Sequence, residues 1–203
     1  MAHYLGGLYR LGGHESPISL SAVAEEVEVT APAAARMFGR LEAAGLVERE
    51  PYRGVRLTPR GALEALREIR SHRLSEAFLV RVMEYGWHEA HDLADHLAEI
   101  GDGDFIDRME AKAGFPRRCP HGEPIPSRDG KLPVLNDVPL IELSQGEHGT
   151  ISRVRIRDSE KLEYLAKEGL LPEVGVRVEA KAPFGGPIRL RLGNREGVLG
   201  AEI

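Results

Sequence analysis

Apolar and polar residues follow two different periods along this chain. Through about residue 112, apolar residues recur every three to four positions, which places them on one face of a helix. Beyond residue 140 they alternate singly with polar residues, as in Ile188–Leu192, which is the pattern of a half-buried strand. The chain is therefore predicted to be mainly α with a small β part at its C-terminal end.

The first 70 residues predict a winged helix-turn-helix. Ser19 and Thr30 each precede a helical pattern and can cap the two helices, and Pro32 falls in the first turn of the second, where its missing N–H costs nothing. Two alternating stretches, 46–50 and 55–58, flank a short turn and predict the hairpin of the wing. This arrangement is typical of a DNA-binding module.

The rest of the chain predicts a helical middle and a β domain. Three more helices are expected over residues 60–82, 87–100 and 104–112. A proline-rich stretch, 115–139, is typical of a linker, and the glycine-punctuated strands beyond Ile141 favour a small SH3-like β-barrel. The expected domains are a winged helix at 1–70, a helical metal-binding and dimerisation domain with its linker at 71–138, and an SH3-like domain at 139–203.

Composition narrows the class of protein. A net charge of −5 argues against a protein that coats nucleic acid through bulk charge, but it allows a specific reader with a local basic surface. Cys119 is the single cysteine, so no internal disulfide can form, which fits a reducing compartment. No run approaches the ~18 apolar residues of a membrane span. We therefore expect a cytoplasmic protein without a membrane partner.

Two histidine–carboxylate pairs carry the candidate chemistry. His72 precedes Glu76 by four residues, and His91 precedes Asp95 by four, so on a helix each pair lies on one face, one turn apart. Together they offer imidazole nitrogens and carboxylate oxygens without a thiolate, which suits Mn²⁺ or Fe²⁺. Because a DNA-binding pattern precedes these pairs, the sequence indicates a metal-sensing regulator.

The second of these helices has two possible metal-binding faces. The face of His91 continues through Glu99 and leads to Asp102. His88, Asp92 and His96 also recur every four residues and would form a separate face about 100° round the helix. Helical spacing alone leaves both faces open.

The order of these features resembles the DtxR/MntR family of metal-dependent transcriptional repressors over almost the whole chain. The resemblance is carried by the winged helix and by five short segments: His3–Leu5, Ser71–Glu76, His91–Asp95, Gly114–Pro116 and Cys119–Pro126. The interval from His72 to His91 equals that of the family, which favours the His91 face. The glycine-rich tail looks like the SH3-like, FeoA-type domain of longer members.

The resemblance implies a set of metal ligands. The matching positions are His3, His72, Glu76, His91 and Asp95. The family continues with glutamate–histidine where this chain has Ala98-Glu99, so Glu99 is a candidate oxygen donor and Asp102 a candidate substitute one turn beyond Ala98. Glu160 is the candidate donor from the C-terminal domain.

Cys119 and His121 have the spacing of half a metal site. No second half-site of matching type exists in the sequence. We therefore interpret both residues as part of the proline-rich loop.

The second helix of the winged helix-turn-helix is the expected DNA reader. Its outward positions are Thr30, Pro32, Ala33, Arg36 and Arg40. Arg36 is the expected base reader, since a guanidinium can bind guanine O6 and N7 together. Arg40 and the wing residue Arg53 are expected to contact the phosphate backbone.

The predicted function is that of a homodimeric, metal-activated repressor that binds a palindromic operator and controls metal homeostasis, with Mn²⁺ as cofactor and Fe²⁺ as a possible substitute. The candidate dimer contacts are Leu97, Ile100, Phe105, Ile106 and Met109. No enzymatic activity is expected. The alternative is a metal-dependent hydrolase with an accessory winged helix, which would use the same kinds of ligand.

Overall fold

The computed structural model describes residues 1–200, and within them lie seven α-helices and six β-strands. The chain divides into two compact units. The first contains Met1–His72 with Pro126–Leu132, and the second contains Arg73–Ile125 and the residues from Pro133 onward. The division falls inside one continuous helix, immediately after His72.

The first unit is the predicted winged helix-turn-helix. Its elements are α1 (Ala2–Arg10), α2 (Leu20–Glu26), α3 (Ala31–Ala43), β1 (Val47–Glu50), β2 (Gly54–Leu57) and the start of α4 (Pro59–Arg81). The predicted caps are confirmed, because Ser19 Oγ accepts a hydrogen bond from Ala22 N and Thr30 Oγ1 accepts one from Ala33 N. Leu8, Phe38, Leu41 and Val55 are fully buried and hold the helices against the wing.

The wing is attached to the helices through its second strand. β1 and β2 pair antiparallel, with Val47 opposite Leu57. Ile18 and Val55 exchange both backbone hydrogen bonds at 2.9 Å, which fastens β2 to the segment before α2. At the start of β2, Gly54 has a φ of +121° and lies so close to this segment that a Cβ atom would be 2.0 Å from Ile18 O.

The second unit continues α4 and adds α5 (Ala90–Ile100) and α6 (Gly103–Lys112). The prediction that α5 begins at Trp87 is wrong by three residues. Residues 84–89 form a loop, in which Glu89 Oε2 accepts a hydrogen bond from Gly86 N, and the Trp87 side chain is buried away from the helix.

Two of the expected dimer contacts lie inside the unit. Ile106 and Met109 pack against Leu74 and Ile125 and are buried, so they contribute to its own core. Ile100 is 78% exposed and Phe105 is 40% exposed. The apolar surface that remains for a second subunit is therefore smaller than the sequence suggested.

The C-terminal part is an open sheet packed on one helix. It contains a short 3-10 helix (Leu140–Glu142), β3 (His148–Thr150), α7 (Ser159–Glu168), β4 (Gly175–Lys181), β5 (Ile188–Leu192) and β6 (Arg195–Leu199). The strands pair in the order β3-β4-β5-β6, all antiparallel. The predicted barrel is not closed within residues 1–200, because the extended segment after β3 makes only isolated backbone bonds, such as Ile151 N to Val174 O.

The proline-rich stretch is only partly the linker that its composition predicted. Cys119, Ile125 and Pro126 are buried. Arg73 of α4 donates a hydrogen bond to Pro124 O at 2.5 Å and pairs with Glu123 at 3.2 Å, which docks this segment on the helix. Among the residues that the structure describes, no helix is long and apolar enough to cross a membrane.

The close approach at Gly54 generates a prediction about stability. Gly54→Ala should lower the free energy of unfolding by about 2 kcal/mol or more, because it combines a disfavoured φ with a clash against backbone. Gly45→Ala is the matched control: Gly45 also has a positive φ, of +69°, but a Cβ there would meet nothing within 4 Å. It should cost about 1 kcal/mol. Urea denaturation followed by circular dichroism measures both, and equal losses would contradict the close packing at Ile18.

Candidate metal centre

A buried carboxylate on α4 is the centre of the candidate site. Glu76 is 3% exposed, and its helix brings a ligand atom of His72, one turn earlier, to within 4.8 Å of one of its own. From α5, His91 places Nδ1 at 3.1 Å from Glu76 Oε1. The predicted pairing of His72, Glu76 and His91 therefore has a geometric counterpart in the structure.

A second group of donors approaches the same oxygen from the 119–121 segment. His121 Nδ1 lies 3.4 Å from Glu76 Oε1 and 3.9 Å from Cys119 Sγ, and both residues are 6% exposed. Burial raises the pKa of the Cys119 thiol well above its usual range, and the negative charge of Glu76 raises it further. In this surrounding the thiolate needs a nearby cation to form.

The hydrogen bond that His121 makes leaves its other ring nitrogen suited to binding a divalent cation. His121 Nε2 lies 2.9 Å from the carbonyl oxygen of Trp87, which can only accept a hydrogen bond, so Nε2 carries a proton. In the neutral ring Nδ1 then has a free lone pair that faces the carboxylate of Glu76. Two acceptors facing each other in a buried site repel, whereas a cation between them would bind both.

The other predicted ligands lie outside these two groups. His3 on α1 and Glu68 on α4 bring ligand atoms within 4.8 Å of each other in the first unit. Asp95 is partly buried on α5, one turn after His91. Asp102 caps α6, since its carboxylate accepts a hydrogen bond from Phe105 N at 2.9 Å. Glu99 and Glu160 are exposed, and among residues 1–200 neither belongs to a group of three or more donors.

The structure distinguishes the two faces that helical spacing left open. His91 contacts Glu76, whereas His88 lies in the loop before α5. His96 is exposed and its Nδ1 lies 2.8 Å from the carbonyl oxygen of Asp92 on its own helix. Within the described part of the chain, His88, Asp92 and His96 form no joint group of donors.

Three candidate donors were missed or set aside by the sequence reasoning. Glu68 continues the four-residue spacing of His72 and Glu76 backwards by one turn, so the signal was present. Cys119 and His121 were assigned to a loop, because their partner Glu76 is more than 40 positions away and of a different type. Only the docking of the loop on α4 brings them to it.

The candidate DNA-reading surface of the first unit is on α3. Arg36 and Arg40 are exposed, and within residues 1–200 neither makes a hydrogen bond or ion pair. Arg49 instead supports the helix, donating to Ala35 O at 2.9 Å, and Arg53 in the wing pairs with Glu50 at 2.8 Å. Two guanidinium groups are therefore available to an outside ligand.

The three parts of this chain match three family models. Residues 1–55 match the N-terminal DNA-binding domain of iron-dependent repressors, and residues 58–127 match the metal-binding and dimerisation domain of the same repressors. Residues 138–203 match the FeoA domain. Together they span nearly the whole chain.

Individual relatives agree with these matches. The chain is 28% identical to the iron-dependent repressor IdeR of Mycobacterium tuberculosis strain H37Rv, over 90% of this chain and 84% of that protein. A solved manganese-dependent transcriptional repressor in complex with manganese is 33% identical with a TM-score of 0.91, covering 100% of this chain and 95% of the other. The structure of ScaR with bound Zn²⁺ is 28% identical with a TM-score of 0.81, covering 98% and 93%.

Glu76 belongs to both donor groups, so we expect its substitution to weaken metal binding more than the substitution of an exposed glutamate does. Glu76→Gln should lower the affinity for Mn²⁺ and for Zn²⁺ by about 100-fold or more, because it removes the charge that both donor groups share. The loss should exceed the 10–100-fold cost of removing a residue that only supports a ligand.

Glu25→Gln is the control, because Glu25 is an exposed glutamate on α2 with no proposed role in metal binding, and it should leave the affinity nearly unchanged. Calorimetric titration with each metal measures both variants. Equal affinities in the two would mean that Glu76 is not a ligand.

Proposed function

Because this chain belongs to the family of iron- and manganese-dependent transcriptional repressors, we propose that it is a repressor activated by Mn²⁺ and able to respond to Fe²⁺. The observation that carries the proposal is the combination of two features in one chain: recognition-helix arginines without a hydrogen bond or ion pair within residues 1–200, and two donor groups around a buried glutamate. The family consists of DNA-binding regulators and not of enzymes. The alternative of a metal-dependent hydrolase is therefore not supported.

The proposed ligands fall into two sets. The geometry around Glu76 supports His72, His91, Cys119 and His121. His3 and Asp95 are proposed from the resemblance to the family, and Glu68 from its proximity to His3. Glu99, Asp102 and Glu160 have weaker support, since Asp102 is engaged as a helix cap and the other two are exposed.

Metal activation is a linkage between two binding events. Glu76, His91 and His121 would hold the cation, and its positive charge would compensate the buried carboxylate of Glu76. If this ordered state is the one that binds DNA, DNA must tighten metal binding by the same factor by which metal tightens DNA binding. The net charge of −5 helps, because it keeps non-specific binding weak without the metal.

The repressor is proposed to act as a dimer on a palindromic operator. The matched dimerisation domain supports a homodimer. On α5 and α6, the exposed apolar residues Leu93, Ile100 and Phe105 are the proposed contacts, in place of the buried Ile106 and Met109. Two-fold symmetry in the protein then calls for two half-sites related by the same symmetry.

The preferred metal depends on whether it is bound by oxygen and imidazole donors alone or also by the sulfur of Cys119. Mn²⁺ usually binds more weakly than the later first-row divalent metals. Oxygen and imidazole donors reduce this difference in affinity, which favours the manganese proposal. The buried Cys119 adds a softer donor, which favours Fe²⁺ or Zn²⁺ if its thiolate takes part. The solved repressor with bound manganese and the iron-dependent relatives leave both responses within the family.

The function is tested by DNA binding with and without metal, in variants that separate sensing from reading. Mobility shifts on palindromic DNA should appear for the wild-type protein only when Mn²⁺ is added. Arg36→Ala should keep its metal affinity and lose ~1–3 kcal/mol of sequence-specific DNA binding, as expected for a base-reading arginine. Asp95→Ala should lose metal affinity and metal-induced DNA binding together, while its folded dimer persists.

Each result has a clear contrary outcome. Tight, specific DNA binding by the metal-free wild-type protein would rule out metal activation. Ordinary Mn²⁺-dependent binding by Asp95→Ala would remove Asp95 from the ligands and leave the groups around Glu76 as the sensor.

The contribution of Cys119 to metal choice gives a separate prediction. Cys119→Ser replaces a soft donor with a harder one and should lower the affinity for Zn²⁺ and Fe²⁺ by about tenfold or more, while changing that for Mn²⁺ much less. Anaerobic calorimetry with the three metals measures the shift. Activation of wild-type DNA binding by Fe²⁺ at lower free concentrations than Mn²⁺ would contradict the manganese assignment.

A further inference from the structure

Trp87 connects the donor group at Glu76 to the core of the C-terminal sheet. It lies in the loop between α4 and α5, four residues before His91, and is 8% exposed. Its indole belongs to the hydrophobic cluster that contains Leu162 of α7, Val178 of β4 and Leu190 of β5. A residue of the helical segment is therefore held in place by the packing of the C-terminal domain.

The same residue holds His121 in two ways. Its carbonyl oxygen accepts the hydrogen bond from His121 Nε2 at 2.9 Å, and its ring stacks on the imidazole with centroids 5.3 Å apart and planes inclined by 29°. The hydrogen bond selects the tautomer in which Nδ1 is free. The stacking sets the orientation in which Nδ1 faces Glu76 and Cys119.

The C-terminal domain also contacts the backbone of the 121–122 segment. Val154 N donates to the carbonyl oxygen of His121 at 2.8 Å. Gly122, with a φ of +84°, approaches this domain so closely that a Cβ atom would lie 2.2 Å from Ser152 O. His121 thus has little freedom to rotate or withdraw while the C-terminal domain is folded.

We propose that Trp87 is a positioning residue through which the packed core of the C-terminal domain sets the metal affinity of the Glu76–Cys119–His121 group. The domain acts on the metal centre through the tautomer and orientation of one histidine, without needing to contribute a ligand of its own. The inference rests on the proposed function, in that it takes this group to bind a divalent cation. By reciprocity, metal bound at this group stabilises the C-terminal domain.

The first test measures the tautomer of His121 in the wild-type protein. Nitrogen-15 NMR of the histidine side chains in the metal-free protein, with His121→Ala used for assignment, should show His121 protonated at Nε2 with a free Nδ1. A His121 ring protonated at Nδ1 alone, or one exchanging between tautomers, would overturn the proposal. This readout does not depend on whether the group binds a metal.

The second test compares variants of the full-length protein by calorimetry with Zn²⁺ and Mn²⁺. Trp87→Ala should weaken binding at the Cys119-containing group by about 10–100-fold, the usual cost of losing a residue that orients a ligand. In Trp87→Ala, His121 should also exchange between its two neutral tautomers. Trp87→Phe keeps a ring against His121 and in the core, so it should retain most of the affinity and the Nε2-protonated form.

Leu192→Ala is the matched control, because Leu192 is buried in the same cluster, on β5. It should lower the free energy of unfolding without changing the tautomer of His121. Metal affinity lost equally in Leu192→Ala and Trp87→Ala would show that general destabilisation, and not positioning, is responsible.

Cys119→Ala separates this inference from the proposed function. If it leaves wild-type metal binding unchanged, the proposed metal group is wrong, and the NMR result alone then decides whether Trp87 orients His121. The protein has a single tryptophan, so a change in its fluorescence on titration with Zn²⁺ gives an independent sign that His121 is engaged. Unchanged fluorescence at full Zn²⁺ occupancy would count against the contact.

Discussion

The carboxylate of Glu76 is a negative charge placed inside the protein, and burying a charge without partners costs several kcal/mol. α4 supplies the carboxylate, α5 supplies His91, and the 119–121 segment supplies His121 and Cys119. These segments are far apart in the chain and converge on one oxygen atom. A cation at the proposed site would compensate that charge.

The two types of donor around Glu76 have different chemical preferences. Imidazole nitrogen and carboxylate oxygen are compatible with Mn²⁺, whereas the Cys119 thiolate prefers softer metals. Since Glu76 is common to both groups, a cation at the proposed site could be held by either set of partners.

The DNA-reading unit follows a simpler rule. Its core is apolar and its recognition helix is supported by Arg49, while Arg36 and Arg40 have no partner in the described part of the chain. Guanidinium groups that make no internal bond lose little when they bind DNA. The proposed reading surface therefore needs no internal hydrogen bond to be broken before it binds DNA.

Much of this protein can be predicted from local sequence patterns. The period of apolar residues, the caps at Ser19 and Thr30, and the four-residue spacing of His72 and Glu76 depend only on neighbours within a turn or two. They predicted the winged helix correctly, and they predicted the four-residue pair that the structure places beside His91. The expected start of α5 at Trp87 was wrong and the linker was only partly right, because both depend on where a side chain finds its buried surface.

Contacts between distant segments were decided only by the tertiary structure. The indole of Trp87 packs in the C-terminal core, and α5 begins three residues later than its spacing predicted. Arg73 docks the proline-rich segment on α4, and this docking turns Cys119 and His121 from loop residues into partners of Glu76. Local periodicity determines which residues form helices and strands, whereas the pairing of a buried charge with donors more than 40 positions away depends on how those elements pack.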